Sequence, residues 1–211
     1  MTIIEELSQL IFPVRCFGCN AFGVTICALC QNEWKPGYYL THISNVNVHS
    51  SILYSATASR VILAAKENGL KAADHLIMEA IAHVIRKGEF LNQSVSLVPI
   101  PSSPTARRRR GRSFMVDITQ KVALKTGLPV INALELGRKV RDQSGLKASQ
   151  RSLNMEGAFA IARGIYPIGK VILVDDVVTT GATLREAARA LSGEGFHVIG
   201  SVTACVAQPL R

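Results

Sequence analysis

Val171-Ile172-Leu173-Val174 runs directly into Asp175-Asp176, and Thr179-Thr180-Gly181-Ala182-Thr183 follows after two more apolar residues. Four apolar residues without a polar break predict a strand buried on both faces, as in a parallel sheet, with the two carboxylates placed where it surfaces. Beyond them come hydroxyls, a glycine and successive backbone N–H groups. Leu184, Ala187, Ala188 and Leu191 then recur at helical spacing, so the order is strand, loop, helix. This predicts an α/β fold with its chemistry at a strand end.

A loop at a helix N-terminus binds phosphate, because unpaired N–H groups and the positive end of the helix dipole converge there. Two acids beside a phosphate repel it, so they must face hydroxyls or a divalent cation on the same ligand. A sugar phosphate with a free diol satisfies both demands. The competing readings are a solvated acidic turn and the acidic strand of an ATPase. An ATPase also needs a P-loop, and Gly164-Ile165-Tyr166-Pro167-Ile168-Gly169-Lys170 imitates its spacing. Val171, however, replaces the Ser/Thr that binds magnesium, and a strand follows where a helix is required, so the segment is read as a turn. Residues 171–183 resemble, position by position, the phosphoribosyl pyrophosphate signature of type I phosphoribosyltransferases. That resemblance implies that Asp175 and Asp176 hold the ribose hydroxyls and that Thr179, Thr180, Gly181, Ala182 and Thr183 cradle the 5′-phosphate.

The chain has 211 residues, of which 48% are hydrophobic, enough for one substantial core and a small appended module. No apolar run approaches membrane-spanning length, and Glu5 and Glu6 stand where a signal peptide prefers lysine or arginine. The expectation is a cytoplasmic protein without membrane insertion. The formal net charge of +9 favours polyanions, whether a pyrophosphate or a nucleic acid. Four of the 5 cysteines cluster as Cys16-x2-Cys19 and Cys27-x2-Cys30, a spacing suited to tetrahedral structural zinc. Four thiolates close the metal's shell, which argues against catalytic zinc; a metal-free remnant or a redox pair are the alternatives.

Ile3, Ile4, Leu7, Leu10 and Ile11 predict a short amphipathic helix ended by Pro13. Gly18 and Gly23 lend the knuckles backbone freedom, and residues 34–55 suggest a small hairpin joining this module to the core. A short helix is expected over 60–66. A longer core helix from Leu70 to Gly88 follows, in which His75 and His83 serve packing or surface roles. The strand over 94–100 leaves the sheet at Pro99-Ile100-Pro101-Ser102-Ser103-Pro104, again at a ligand-binding end. Arg107, Arg108, Arg109, Arg110 and Arg112 precede a helix carrying Phe114, Ile118 and Val122. The run suits a solvated charged face, pyrophosphate contact or a nucleic-acid footprint. Short strands are expected at 134–138 and 158–161, a brief helix from Ser149 to Asn154, and a final strand over 196–206 with Cys205 as a buried thiol. Between them, residues 139–150 read as a long loop of the kind used as a lid, carrying Arg141 and Lys147.

Taken together, the paired Cys-x2-Cys knuckles, Val98-Pro99-Ile100-Pro101 with its arginine-rich segment, Gln143-Ser144-Gly145-Leu146 with Arg151, Asn154 and Ala158-Phe159, and the closing acid-pair motif resemble the ComF family, the competence-associated branch of phosphoribosyltransferase-like proteins. The resemblance implies an open, mainly parallel type I phosphoribosyltransferase-like sheet flanked by helices over 36–211, and a helix with a four-cysteine zinc module over 1–35. One segment departs from the family: its Arg-Gly-Phe-Asn-Gln is here Arg110-Gly111-Arg112-Ser113-Phe114, so Ser113 and Phe114 inherit no role. By fold-level analogy with amidophosphoribosyltransferases, Ser102 and Ser103 are candidates for pyrophosphate contact.

The implied activity is transfer of the phosphoribosyl group from phosphoribosyl pyrophosphate, bound with magnesium, to an acceptor that the sequence does not name. Asp175, Asp176, Arg141 and Lys147 are the candidate catalytic residues, the last two on the leaving-group side. The resemblance equally raises a non-catalytic accessory that holds single-stranded DNA alongside DNA-uptake proteins, or a phosphoribosyl pyrophosphate sensor. Against the DNA reading, aromatics make up only 6% of the chain and none interleaves with the arginines. The sequence is silent on oligomeric state.

Overall fold

The computed structural model describes residues 14–137 and 156–207. In chain order the elements are α1 (Ala28–Glu33), β1 (Tyr39–Ile43), β2 (Val46–Leu53), α2 (Ala56–Lys66), α3 (Lys71–Lys87), a 3-10 turn (Phe90–Asn92), β3 (Val95–Pro99), α4 (Pro104–Arg110), α5 (Phe114–Thr126), β4 (Leu134–Leu136), β5 (Phe159–Ile161), β6 (Lys170–Val178), α6 (Ala182–Gly193) and β7 (His197–Val206). The main sheet has the order β1-β2-β7-β6-β3. All neighbours are parallel except β1 and β2, which form an antiparallel hairpin. Beyond β3 the backbone continues the pairing briefly, with Leu97 bridged in parallel to Val130.

Both faces of the sheet are covered, as unbroken apolar strands require. On one face Ile172 and Val174 of β6 pack with Val61 of α2, Ile77, Ile81 and Ile85 of α3, and Phe114 and Ile118 of α5. On the other, Val171 and Leu173 meet Leu184, Ala187 and Leu191 of α6, and Phe159 of the β4–β5 hairpin. The helical spacings in the sequence are therefore core faces. Helix α2 starts earlier than its apolar pattern suggests, because the Ser55 side chain accepts a hydrogen bond from the Ala58 N–H and caps it.

Three local expectations change. The hairpin expected over 34–55 is present as β1–β2, but it is built into the main sheet: β2 pairs in parallel with β7, and Trp34 is buried in the central core. The arginine run is itself a helix, α4, capped by Ser103 with Pro104 in its first turn. Strand β6 does not surface before its acids but continues through them to Val178, with Asp175 opposite Thr203. The expected N-terminal helix over 3–11, the lid with Arg141 and Lys147, and the helix over 149–154 lie outside the described residues.

Candidate sugar-phosphate site and cysteine cluster

Asp175 is 9% exposed and Asp176 3%, which excludes a solvated acidic turn. Asp175 Oδ1 accepts the Asp176 N–H at 2.9 Å, and Asp176 Oδ1 accepts the Val177 N–H at 3.0 Å. The second oxygen of Asp176 receives the Lys66 ammonium at 2.6 Å, from the last residue of α2. The two carboxyls therefore differ. Burial, then the charge of Asp176, pushes Asp175 well above the usual carboxylate range, against the pull of Lys66. Burial also acts to raise Asp176, but the charge and hydrogen bond of Lys66 reverse the effect and hold it low. A buried pair carrying one negative charge, matched by one cation, is cheaper than two bare carboxylates.

The loop after β6 closes a small depression lined by Asp175, Val177, Val178, Thr179, Thr180, Gly181, Ala182, Thr183 and Leu184. Gly181 is the N-cap of α6 and sits at φ +71°, in the left-handed region that favours glycine. Space demands it too: a Cβ there lies 2.2 Å from Ile43 Cδ1 and 2.6 Å from Ile43 Cγ2. Ile43, at the end of β1, thus supports the loop from below. Thr180 Oγ1 accepts the Ala182 N–H at 3.4 Å, while the N-cap residue Gly181 has no side chain to cap α6. Its first-turn N–H groups have no intrahelical partner, which is the electrostatic setting for an anion. Asp175 thus shares one depression with the whole of 179–183, whereas Asp176, next to it on β6, takes the Lys66 ammonium. Sequence inspection passes over Lys66 because 110 residues separate it from Asp176.

Ser102 and Ser103 follow β3, whose end lies beside the residue of β6 that precedes the acid pair: the Ile100 N–H bonds to the Val174 carbonyl at 3.0 Å. Ser103 is committed locally, its Oγ accepting the Ala106 N–H at 3.1 Å. The arginines divide by partner. Arg109 and Arg110 both pair with Glu67, at 3.0 and 2.6 Å, holding its carboxyl below the usual range. Arg112 makes a bidentate contact with buried Asp74 at 2.7 Å, and Lys121 joins at 2.9 Å. Breaking such a buried pair from one side costs about 3–5 kcal/mol, so Arg112 serves the fold. Arg107 and Arg108 are exposed. At the position where the family pattern departs, Phe114 is fully buried, with the Arg112 guanidinium 5.0 Å from its ring centroid.

At the other end of α2 stands the cysteine cluster. The four Sγ atoms of Cys16, Cys19, Cys27 and Cys30 lie within 4.8 Å of one another, and Cys19 and Cys27 approach to 3.6 Å. A zinc ion with Zn–S bonds of about 2.3 Å needs sulfur–sulfur edges of about 3.8 Å, so the donor set fits a four-coordinate structural metal. Burial raises the Cys16 thiol, but the N–H groups of Cys27, Cys19 and Gly18 outweigh it and lower it to about 6. Burial pushes Cys30 up to about 12. Gly18 serves space rather than backbone freedom, since a Cβ there lies 2.5 Å from Cys30 Sγ. Gly23 does sit at φ +89°. The cluster docks on α2 through Arg60, which donates to the Gly18 carbonyl, and through Thr57 Oγ1, 3.9 Å from Cys30 Sγ. Cys205 is separate and buried in the core, where burial raises its thiol further.

Among the described residues, no helix is long and apolar enough to cross a membrane. Competence protein F of Haemophilus influenzae is 31% identical over 107 residues, covering 49% of this chain and 47% of that protein, in keeping with the ComF resemblance. An orotate phosphoribosyltransferase of Caenorhabditis elegans is 30% identical over 130 residues, 56% of this chain and 57% of that protein. The chain spans about half the length of the curated relatives it matches. The solved adenine phosphoribosyltransferase of Saccharomyces cerevisiae is similar at a TM-score of 0.46 and 14% identity, covering 86% of this chain and 89% of that one. The family model described as the phosphoribosyl transferase domain matches residues 63–209. Since β6, its acid pair, the loop and α6 all fall within that span, the chain belongs to the phosphoribosyl transferase domain family.

Proposed function

We propose that the chain binds phosphoribosyl pyrophosphate with magnesium and transfers the phosphoribosyl group to an acceptor. The observation that carries this reading is the buried Asp175–Asp176 pair set against a loop with Gly181 in the left-handed conformation at the start of α6. The first-turn N–H groups of α6 and the hydroxyls of Thr179, Thr180 and Thr183 take the 5′-phosphate. The acid pair takes the ribose hydroxyls. Asp175 and Asp176, whose carboxylate oxygens suit a hard cation, are the residues that would hold magnesium near the substrate, where it would supply charge neutralisation for the leaving group. Ser102, after β3, with Arg141 and Lys147 from the lid, is assigned to the pyrophosphate side; Ser103 is assigned there through its backbone. Because the attack on C1 builds positive charge on the sugar, the chain's task is to orient the acceptor, steady the leaving group and exclude water. Zinc in the cysteine cluster is structural in this reading. Residues 1–35 form the N-terminal module, 36–211 the transferase-like domain, and the setting is cytoplasmic.

Calorimetric titration with phosphoribosyl pyrophosphate and magnesium, comparing wild type with Asp175→Ala/Asp176→Ala, tests the site. Saturable binding lost in the double variant supports it, and acceptor-dependent pyrophosphate release separates a transferase from a sensor. No binding by folded wild type removes both. The likeness to a competence protein and the exposure of Arg107 and Arg108 favour a second reading as a single-stranded DNA accessory. That reading predicts salt-steep DNA binding that weakens when Arg107 and Arg108 are neutralised.

A further inference from the structure

Lys66 sits on none of the motifs that mark the site, yet its ammonium makes the closest polar contact of the acid pair among the described residues, 2.6 Å from Asp176 Oδ2. The Asp176 side chain is 4% exposed and Lys66 27%, so the contact is mostly shielded from water. With the Val177 N–H on Oδ1 and Lys66 on Oδ2, both oxygens of Asp176 have a donor and the carboxylate plane is fixed. Each oxygen still has a second lone pair for a hydroxyl. The neighbouring cations are committed elsewhere: Arg110 to Glu67, and Arg112 to Asp74. Lys66 is itself held in place. It ends a helix anchored at the far side by Arg60 on the Gly18 carbonyl, and its ammonium lies 5.9 Å from the centroid of fully buried Phe114.

We propose that Lys66 is a positioning residue for the sugar-diol end of the site: it pins Asp176 so that the acid pair presents a preoriented acceptor to a cis-diol and thereby selects ribose over 2-deoxyribose. The inference rests on the sugar-phosphate reading above. Ionised, oriented acceptors bind a hydroxyl well because no reorganisation is needed when it arrives. Without the ammonium, Asp176 takes up a proton or turns away, and one of the two diol acceptors is lost. The phosphate loop begins beyond Val178 and keeps its own donors. Lys66 therefore affects the part of affinity that depends on the diol and not the part that depends on phosphate.

The test is calorimetric titration of the full chain with ribose 5-phosphate, 2-deoxyribose 5-phosphate and inorganic phosphate, for wild type, Lys66→Met and Lys66→Arg. Wild type is expected to prefer ribose 5-phosphate, and Lys66→Met to lose about tenfold of that affinity while the other two ligands change by less than about twofold. Lys66→Arg, which keeps the charge, is expected to restore part of the preference; a purely structural role does not move this ratio. Thermal unfolding checks each variant first. If Lys66→Met does not fold, Lys66→Gln, which leaves Asp176 in place and keeps a neutral donor, takes its place with the same expectation. Undiminished preference in the folded variant overturns the role of Lys66 while leaving the sugar-phosphate site standing. A wild type that binds no sugar phosphate, or shows no preference for ribose, overturns that site and the role of Lys66 with it.

Discussion

Replacing Gly181 by alanine adds one carbon and meets two separate obstacles. The φ of +71° is strained for an L-residue, a cost of about 1–2 kcal/mol. The new Cβ also lands 2.2 Å from Ile43 Cδ1 and 2.6 Å from Cγ2. Ile43 is itself buried and has stiff χ1, so overpacking adds about 1–3 kcal/mol. The total expected loss is about 2–5 kcal/mol. Urea unfolding reads it as a lower midpoint at unchanged slope. The Ile43→Ala background separates the two obstacles: there the contact is gone and Gly181→Ala should cost only the conformational part, about 1–2 kcal/mol. Equal cost in both backgrounds refutes the packing contact. A loss under about 0.5 kcal/mol in the wild-type background refutes both contributions.

Asp175 gives a pH prediction. Its folded value is raised, by burial first and by Asp176 second, so its contribution to stability is fully present below the unfolded carboxylate value and is lost as pH rises through the raised one. Asp175→Asn should therefore flatten the fall in urea midpoint across that window and stabilise the protein at neutral pH while weakening sugar-phosphate binding; an unchanged slope refutes it. For the cysteine cluster, elemental analysis should find one zinc per chain, and chelation should lower the thermal midpoint while Cys205 stays unreactive to thiol reagents until global unfolding. Metal-free protein whose midpoint ignores the chelator refutes the zinc assignment.

The candidate site is legible in the sequence wherever its residues are neighbours. The apolar run 171–174, the two acids and the threonine-rich loop lie on one continuous strand, loop and helix, so backbone periodicity alone orders them. The helix cores, from Ile77 to Ile85 and from Leu184 to Leu191, were legible for the same reason. Lys66 was not, because helical spacing assigns it an exposed terminal turn and only the tertiary fold brings it to Asp176. The division of the arginines was equally hidden: Glu67 and Asp74 are ordinary helix-surface acids until α4 and α5 pack beside them. The hairpin over residues 34–55 is legible because its pairing is local, whereas the pairing of β2 with β7 is not. Gly18 shows that a glycine can be recognised correctly for the wrong reason, since steric room against Cys30 and not backbone freedom requires it.

The place of β7 bears on how the protein is made. It is the last strand of the described chain to be synthesised, yet it lies in the middle of the sheet, between β2 and β6. Until residues 197–206 emerge from the ribosome, the β1–β2 hairpin and the β3–β6 pair are two fragments with open edges facing an unfilled slot. Ser50 cannot meet Thr203, 153 residues later, and Asp175 lacks the strand that lies opposite it. Contacts of such sequence separation make closure slow, and the exposed edges invite pairing with other nascent chains. The sheet around the acid pair is thus completed only when β7 inserts, and the nascent chain remains a client for chaperones until then.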